Sequence, residues 1–159
     1  MLGKVRSLVY FAEPLTAPDV RDEQAALPRP EATLEPGDWA ARGTLVGVIQ
    51  FLGGSISIDA RDRSILRDIA LLQQQRGGLF RVVGHASGRA KSPDPTAHRL
   101  ASLELSLGRA RNVALAMMEL GVDPETLQVV AASASAPAYD ESQPTGESGN
   151  RRVEIFLEY

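Results

Sequence analysis

From Gly43 onward, apolar and polar positions fall into blocks whose period changes from strand to helix and back. Thr44 to Leu52 is an almost unbroken apolar run with β-branched residues, which predicts a strand buried on both faces. Gly53-Gly54-Ser55 breaks it. Asp59, with Asp62 three residues on, is a relative of the capping box and predicts a helix start. Ile65, Leu66, Ile69 and Leu72 follow at helical spacing, with Arg63, Arg67, Asp68 and Gln73 on other faces. Gly77-Gly78 ends that helix, and Leu79 to His85 predicts a second strand. A loop from Ala86 to about His98 holds Gly88, Pro93 and Pro95.

A second helix is predicted from near Arg99 to Leu120, with Ala110, Val113, Ala114, Met117 and Leu120 as its buried stripe and Gly121 just past its end. Asp123-Pro124 opens a short turn, and Leu127 to Ala132 reads as a third strand. Residues 133–149 read as a polar loop. The chain closes on a strict alternation: Val153, Ile155, Leu157 and Tyr159 share one face, Glu154 and Glu158 the other. The order is β-α-β-α-β-β. It predicts a two-layer α/β (α+β) sandwich, with a mixed sheet and both main helices on one face. The last strand is expected to lie antiparallel beside the third.

Residues 1–43 contrast with this block. Five of the ten prolines fall between Pro14 and Pro36, with no sustained period, so 1–43 reads as a Pro-rich arm or linker and 44–159 as the domain. No run approaches the ~20 apolar residues of a membrane-spanning helix. The apolar stretch near Val9 is too short for a signal-peptide core of ~7–15 residues.

Net charge is −3, which gives no broad positive footprint for nucleic acid. There is no cysteine, so disulfides, thiolate chemistry and a lipidated cysteine are excluded for this chain. Ser87 and Ser106 sit in no Gly-x-Ser-x-Gly elbow, so an enzyme is not expected. His85, Asp94 and His98 have metal-ligand chemistry, but the two histidines lie 13 residues apart across a loop. No metal or cofactor is expected.

Five stretches stand in one order: Phe51 followed by Gly-Gly-Ser, then Val82-Val83-Gly84-His85, Leu105-Ser106-Leu107-Gly108-Arg109-Ala110, Gly121-Val122, and Asn150-Arg151-Arg152-Val153-Glu154. In this order they resemble the OmpA-like peptidoglycan-binding domain, the family of the OmpA C-terminal domain, Pal lipoproteins and flagellar stator proteins. The resemblance covers roughly residues 44–159. It implies non-catalytic binding of the peptidoglycan stem peptide at diaminopimelate, whose side-chain end is zwitterionic. The family binds the carboxylate with the arginine of Leu-Ser-x-x-Arg-Ala, here Arg109, and the ammonium with the aspartate of Gly-His-Thr-Asp. Arginine suits the first task because its planar fork engages both carboxylate oxygens. A helix start near Arg109 would add backbone N–H groups.

The chain departs from that pattern. Gly84-His85-Ala86-Ser87 puts Ser87 where the aspartate stands, Ser102 replaces a frequent asparagine, and Leu52 replaces a frequent acid. The connection from Ser87 to Arg109 is also longer than usual. Asp94 and Glu104 are the substitute acids that the longer connection offers. Of Arg151 and Arg152, one is expected to point into the site, and Arg152 is the preferred family equivalent. His85 is expected to order the loop. The candidate ligand-binding set is therefore Arg109, Arg152, Ser87, Ser102, His85, Asp94 and Glu104. Arg109→Ala is expected to weaken binding with little loss of fold.

The resemblance places the domain in the periplasm, as a fragment of a longer exported and membrane-anchored protein held to the cell wall. Two rival readings go with the departures. In one, the fold is kept, wall binding is lost, and loop 86–104 contacts an envelope protein or a second copy in a homodimer. In the other, the ligand keeps a carboxylate and has no free ammonium.

Overall fold

A computed structural model describes residues 41–88, 93–135 and 137–159. The expected arm at 1–43 thus falls almost wholly outside the described residues. Strand β1 (Thr44–Gln50) leads to helix α1 (Ala60–Arg76), strand β2 (Leu79–His85) and helix α2 (Pro95–Glu119). A 3-10 turn (Pro124–Thr126), strand β3 (Leu127–Ser133), short helix α3 (Pro144–Asn150) and strand β4 (Arg152–Glu158) complete it. The sheet order is β1-β4-β2-β3. β2 and β3 are parallel, and β4 is antiparallel to both β1 and β2. The two-layer α/β sandwich with a mixed sheet is as expected.

Local signals in the sequence act as read. Asp59 accepts from the Asp62 backbone N–H at 2.8 Å, and Asp62 accepts from that of Asp59 at 3.1 Å, closing the capping box. Gly121 takes φ +95 just beyond α2, and Asp123 caps the 3-10 turn. Leu66, Ile69 and Ala70 of α1, with Ala110, Val113, Ala114 and Met117 of α2, pack on Ile49, Phe80, Val82, Val129, Val153, Ile155 and Leu157 of the sheet. The opposite face of the sheet holds a smaller cluster of Val83, Val130, Ala132 and Phe156.

Three expectations are corrected. β1 is an edge strand, with Leu45 and Val48 exposed, and is not buried on both faces. An apolar run sets no limit on how many neighbours a strand finds. β4 lies between β1 and β2, not beside β3. This position gives its outer-face charges partners across the ladder: Glu158 meets Arg81 at 2.7 Å and Glu154 meets His85 at 2.9 Å. The segment read as a loop at 133–149 contains α3. Its sequence Pro-Thr-Gly-Glu-Ser-Gly-Asn has no apolar stripe, and no side chain caps it. It is held by tertiary contact instead. A Cβ on Gly146 would fall inside the backbone carbonyl of Asp140, so only glycine lets the helix settle there.

The second helix also starts earlier than expected. Asp94 is its N-cap, accepting from the Thr96 N–H at 2.9 Å, and Pro95 occupies its first position. Arg109 therefore sits deep in a 25-residue helix, not at a helix start, and has no free backbone N–H groups beside it.

Candidate functional site

The α2 positions Ser102, Ser106, Arg109 and Val113 recur at i, i+4, i+7 and i+11, so they form one stripe facing the sheet. Within it Arg109 is 0% exposed. Its Nε donates to the Ser55 carbonyl at 3.0 Å, Nη1 to that of His85 at 3.1 Å and Nη2 to that of Leu52 at 3.4 Å. The guanidinium carbon lies 5.4 Å from the Phe51 ring centroid. Arg109 thus ties the turn after β1 to the end of β2. Among the described residues it forms no ion pair. Burial, and then the charge of Arg151, lower its pKa to about 10, so it stays cationic at neutral pH. The expectation that its removal would spare the fold does not survive this geometry.

Above Arg109 opens a cavity of about 110 Å³, lined by Gly54, Ala86, Ser87, His98, Ala101, Ser102, Leu105, Glu147 and Arg151. Two of the expected site residues, Ser87 and Ser102, line it. Asp94 is spent at the helix cap, and Glu104 is exposed on α2 outside the lining. The acid in the wall is Glu147 of α3, which the sequence reading missed. Arg151 joins it: Nη1 donates to Glu147 at 3.1 Å and Nε to the Phe51 carbonyl at 3.3 Å. Glu147 and Arg151 stand four residues apart, a helical ion-pair spacing, but that signal is visible only once α3 is known to be helical. Leu105 and Gly54 were named only within motifs, and His98 only as a possible metal ligand.

Arg152 is corrected to the other side of the sheet. Val153, Ile155 and Leu157 face the helices, so Arg152 and Glu154 point away from them. There Arg152 Nε donates to Glu154 at 3.0 Å, and the other Glu154 oxygen accepts from His85 Nε2 at 2.9 Å. His85 is not in the cavity wall, but its carbonyl accepts from Arg109. Asn150 is a buried hub between the two regions. Its side-chain oxygen accepts from the Ala138 and Tyr139 N–H groups, and its amide donates to Tyr139 O and Glu141. Among the described residues no three His, Cys, Asp or Glu side chains form a metal-sized group.

Burial lowers the pKa of His85 below 6.5, with Arg152 adding to the effect and the Glu154 hydrogen bond opposing it. Glu154 loses solvation, yet its bonds from His85 and Arg152 bring its pKa down. In the folded state at neutral pH, His85 is neutral. On acidification the unfolded chain takes the proton first, so this contribution to stability is full above pH 6.5 and is lost as pH falls through the folded value. Thermal melts are expected to drop between pH 7 and 5, and His85→Gln should flatten that slope. An identical slope in the variant would remove His85 as its cause.

Comparisons with known proteins agree with the geometry. The C-terminal domain of Helicobacter pylori MotB superposes with a TM-score of 0.61 at 22% identity, covering 72% of this chain and 85% of that one. The peptidoglycan-associated lipoprotein from Burkholderia pseudomallei gives 0.62 at 19%, covering 77% and 96%. The cell wall anchor of the T6SS from Pseudomonas aeruginosa gives 0.57 at 25%, covering 70% and 78%. No curated protein matches the sequence. The family model for the OmpA family matches residues 50–151, well over half of the chain. The chain belongs to the OmpA family.

Proposed function

We propose that this domain binds the peptidoglycan stem peptide without catalysis and tethers an envelope protein to the cell wall in the periplasm. One observation carries the reading: the cavity is assembled from the segments that bear the family motifs. Ser87 comes from the Gly-His segment, Leu105 from the Leu-Ser-x-x-Arg-Ala segment with Arg109 beneath, and Arg151 from the Asn-Arg-Arg-Val segment. Two relatives of the same fold are named for a cell wall anchor and a peptidoglycan-associated lipoprotein. The cavity volume supports a side-chain end as ligand. At about 110 Å³ it is well below the ~300 Å³ at which small-molecule pockets begin, so a whole sugar ring would not be enclosed. Ser106 is fully buried, with its hydroxyl bonded to Leu103 O, which suits a structural and not a nucleophilic role. In this reading residues 1–43 link the domain to a membrane-anchored module.

The test is co-sedimentation of the purified chain with diaminopimelate-type sacculi. The chain should pellet with them. A chain left in the supernatant would contradict the proposal. A second reading, docking to a protein or a second copy, draws support from the β1 edge, which has no further strand beside it among the described residues. Leu52 is 81% exposed, and Leu45 and Val48 are exposed beside it on β1. Concentration-dependent self-association abolished by Leu52→Asp, with no pelleting on sacculi, would favour that reading.

A further inference from the structure

We propose that Glu147 and Arg151 are the ionic recognition pair of this cavity, Arg151 taking the carboxylate and Glu147 the ammonium of a zwitterionic side-chain end. The assignment rests on the wall-binding reading and deepens it. It supplies the acid that Ser87 lacks, from α3 and not from the β2–α2 connection.

Three observations carry it. First, among the described residues these are the two charged side chains in the cavity wall, and they lie on one side of it, 3.1 Å apart. The Arg151 side chain is 17% exposed and that of Glu147 19%. They are reachable from the cavity and still sheltered enough to be screened less than surface charges. Second, Arg151 has donor capacity left. Its Nε and Nη1 are engaged, while Nη2 makes no hydrogen bond among the described residues. Arg109 is fully buried and absent from the wall, so it supports the cavity floor and is a positioning residue. Third, the Arg109 guanidinium is bonded to carbonyls and to no carboxylate among the described residues, and it lies close enough to Arg151 for their charges to be felt. That positive field favours a carboxylate entering at Arg151, while an ammonium on the same ligand meets Glu147. Both ligand charges then face an opposite one, which avoids the penalty of an unpaired buried ion. Ala86, Ala101 and Leu105 give the apolar wall for the ligand's methylene carbons.

The experiment measures binding of three synthetic stem tripeptides by calorimetry. One carries meso-diaminopimelate, one lacks its side-chain amino group, and one has its side-chain carboxylate as an amide. Each is titrated into wild type, Glu147→Gln, Arg151→Gln and Arg151→Lys, with thermal melts to show that each variant is folded. Wild type should prefer the zwitterionic peptide over both others by about tenfold or more. Glu147→Gln should lose the preference over the des-amino peptide and keep that over the amide. Arg151→Gln should do the reverse. Arg151→Lys keeps the charge and loses the fork, and should retain part of the carboxylate preference. Unchanged preferences in folded Glu147→Gln or in folded Arg151→Gln, with wild type still pelleting on sacculi, overturn the assignment alone. Wild type that binds neither sacculi nor any peptide overturns the wall-binding reading as well.

Discussion

Arg109→Ala should lose about 3–5 kcal/mol of stability, enough to lower the melting temperature of a domain this size by about 10 °C or more. The substitution removes three charge-assisted bonds from a side chain with no solvent exposure. The carbonyls of Ser55 and His85 would lose their guanidinium partner, and Phe51 would face a void where the guanidinium lay. No carboxylate among the described residues is released in return, so the cost is not offset by relief of a buried ion pair. Arg109→Lys should fall between, because an ammonium supplies charge but cannot reach three carbonyls in a planar fork. Circular dichroism melts check both. An alanine variant that melts with wild type would show that the guanidinium does not hold these loops. Any binding defect in Arg109→Ala must therefore be read against its folded fraction.

Gly84→Ala should cost about 2–4 kcal/mol, a large effect for one methyl group. A Cβ at this position would fall inside the Ser106 backbone carbonyl and 3.1 Å from the Ala110 Cβ. The first contact decides the magnitude, because a carbonyl in the middle of α2 cannot rotate away as a side-chain tip can. The helix would have to lift from β2 as a body, taking Ser102, Leu105 and Arg109 with it. Trimming the second contact with Ala110→Gly should recover little, since the clash with Ser106 remains. Full recovery in that double variant would mean that the side-chain contact is the real constraint. Gly84 thus sets the separation of layers directly beneath the cavity.

Much of the architecture was legible because it rests on local chemistry. The Asp59–Asp62 cap, the Gly77 and Gly121 helix ends and the alternation from Val153 are short-range features, and each acts as it reads. What was not legible is partnership. Alternation says which face a residue takes and does not say which strand lies alongside, so β4 was placed beside β3 when its charges pair with β2. α3 was hidden for a related reason: two glycines and a proline in seven residues are a loop signal unless tertiary contacts hold them, and here Asp140 and Tyr139 do.

Two further placements were within reach of the sequence. If Val153 faces the helices, then Arg151, two residues earlier, tends to their side and Arg152 to the other. If Ala110, Val113 and Met117 form the buried stripe, then Ser102, Ser106 and Arg109 belong to an adjoining row that is also covered. Family resemblance drew attention to Arg152 and to an acid in the longer connection. The wall of the cavity holds Arg151 and Glu147 instead.

The most direct measurement is a titration of a diaminopimelate-containing stem peptide into the isotope-labelled domain, followed by amide chemical shifts. Wall binding at this cavity predicts saturable shifts at Gly54, Ala86, Ser87, Ala101, Ser102, Glu147 and Arg151, with the outer-face residues Val83, Val130 and Phe156 left in place. No shifts at saturating peptide, or shifts confined to the β1 edge around Leu45 and Val48, would contradict the account.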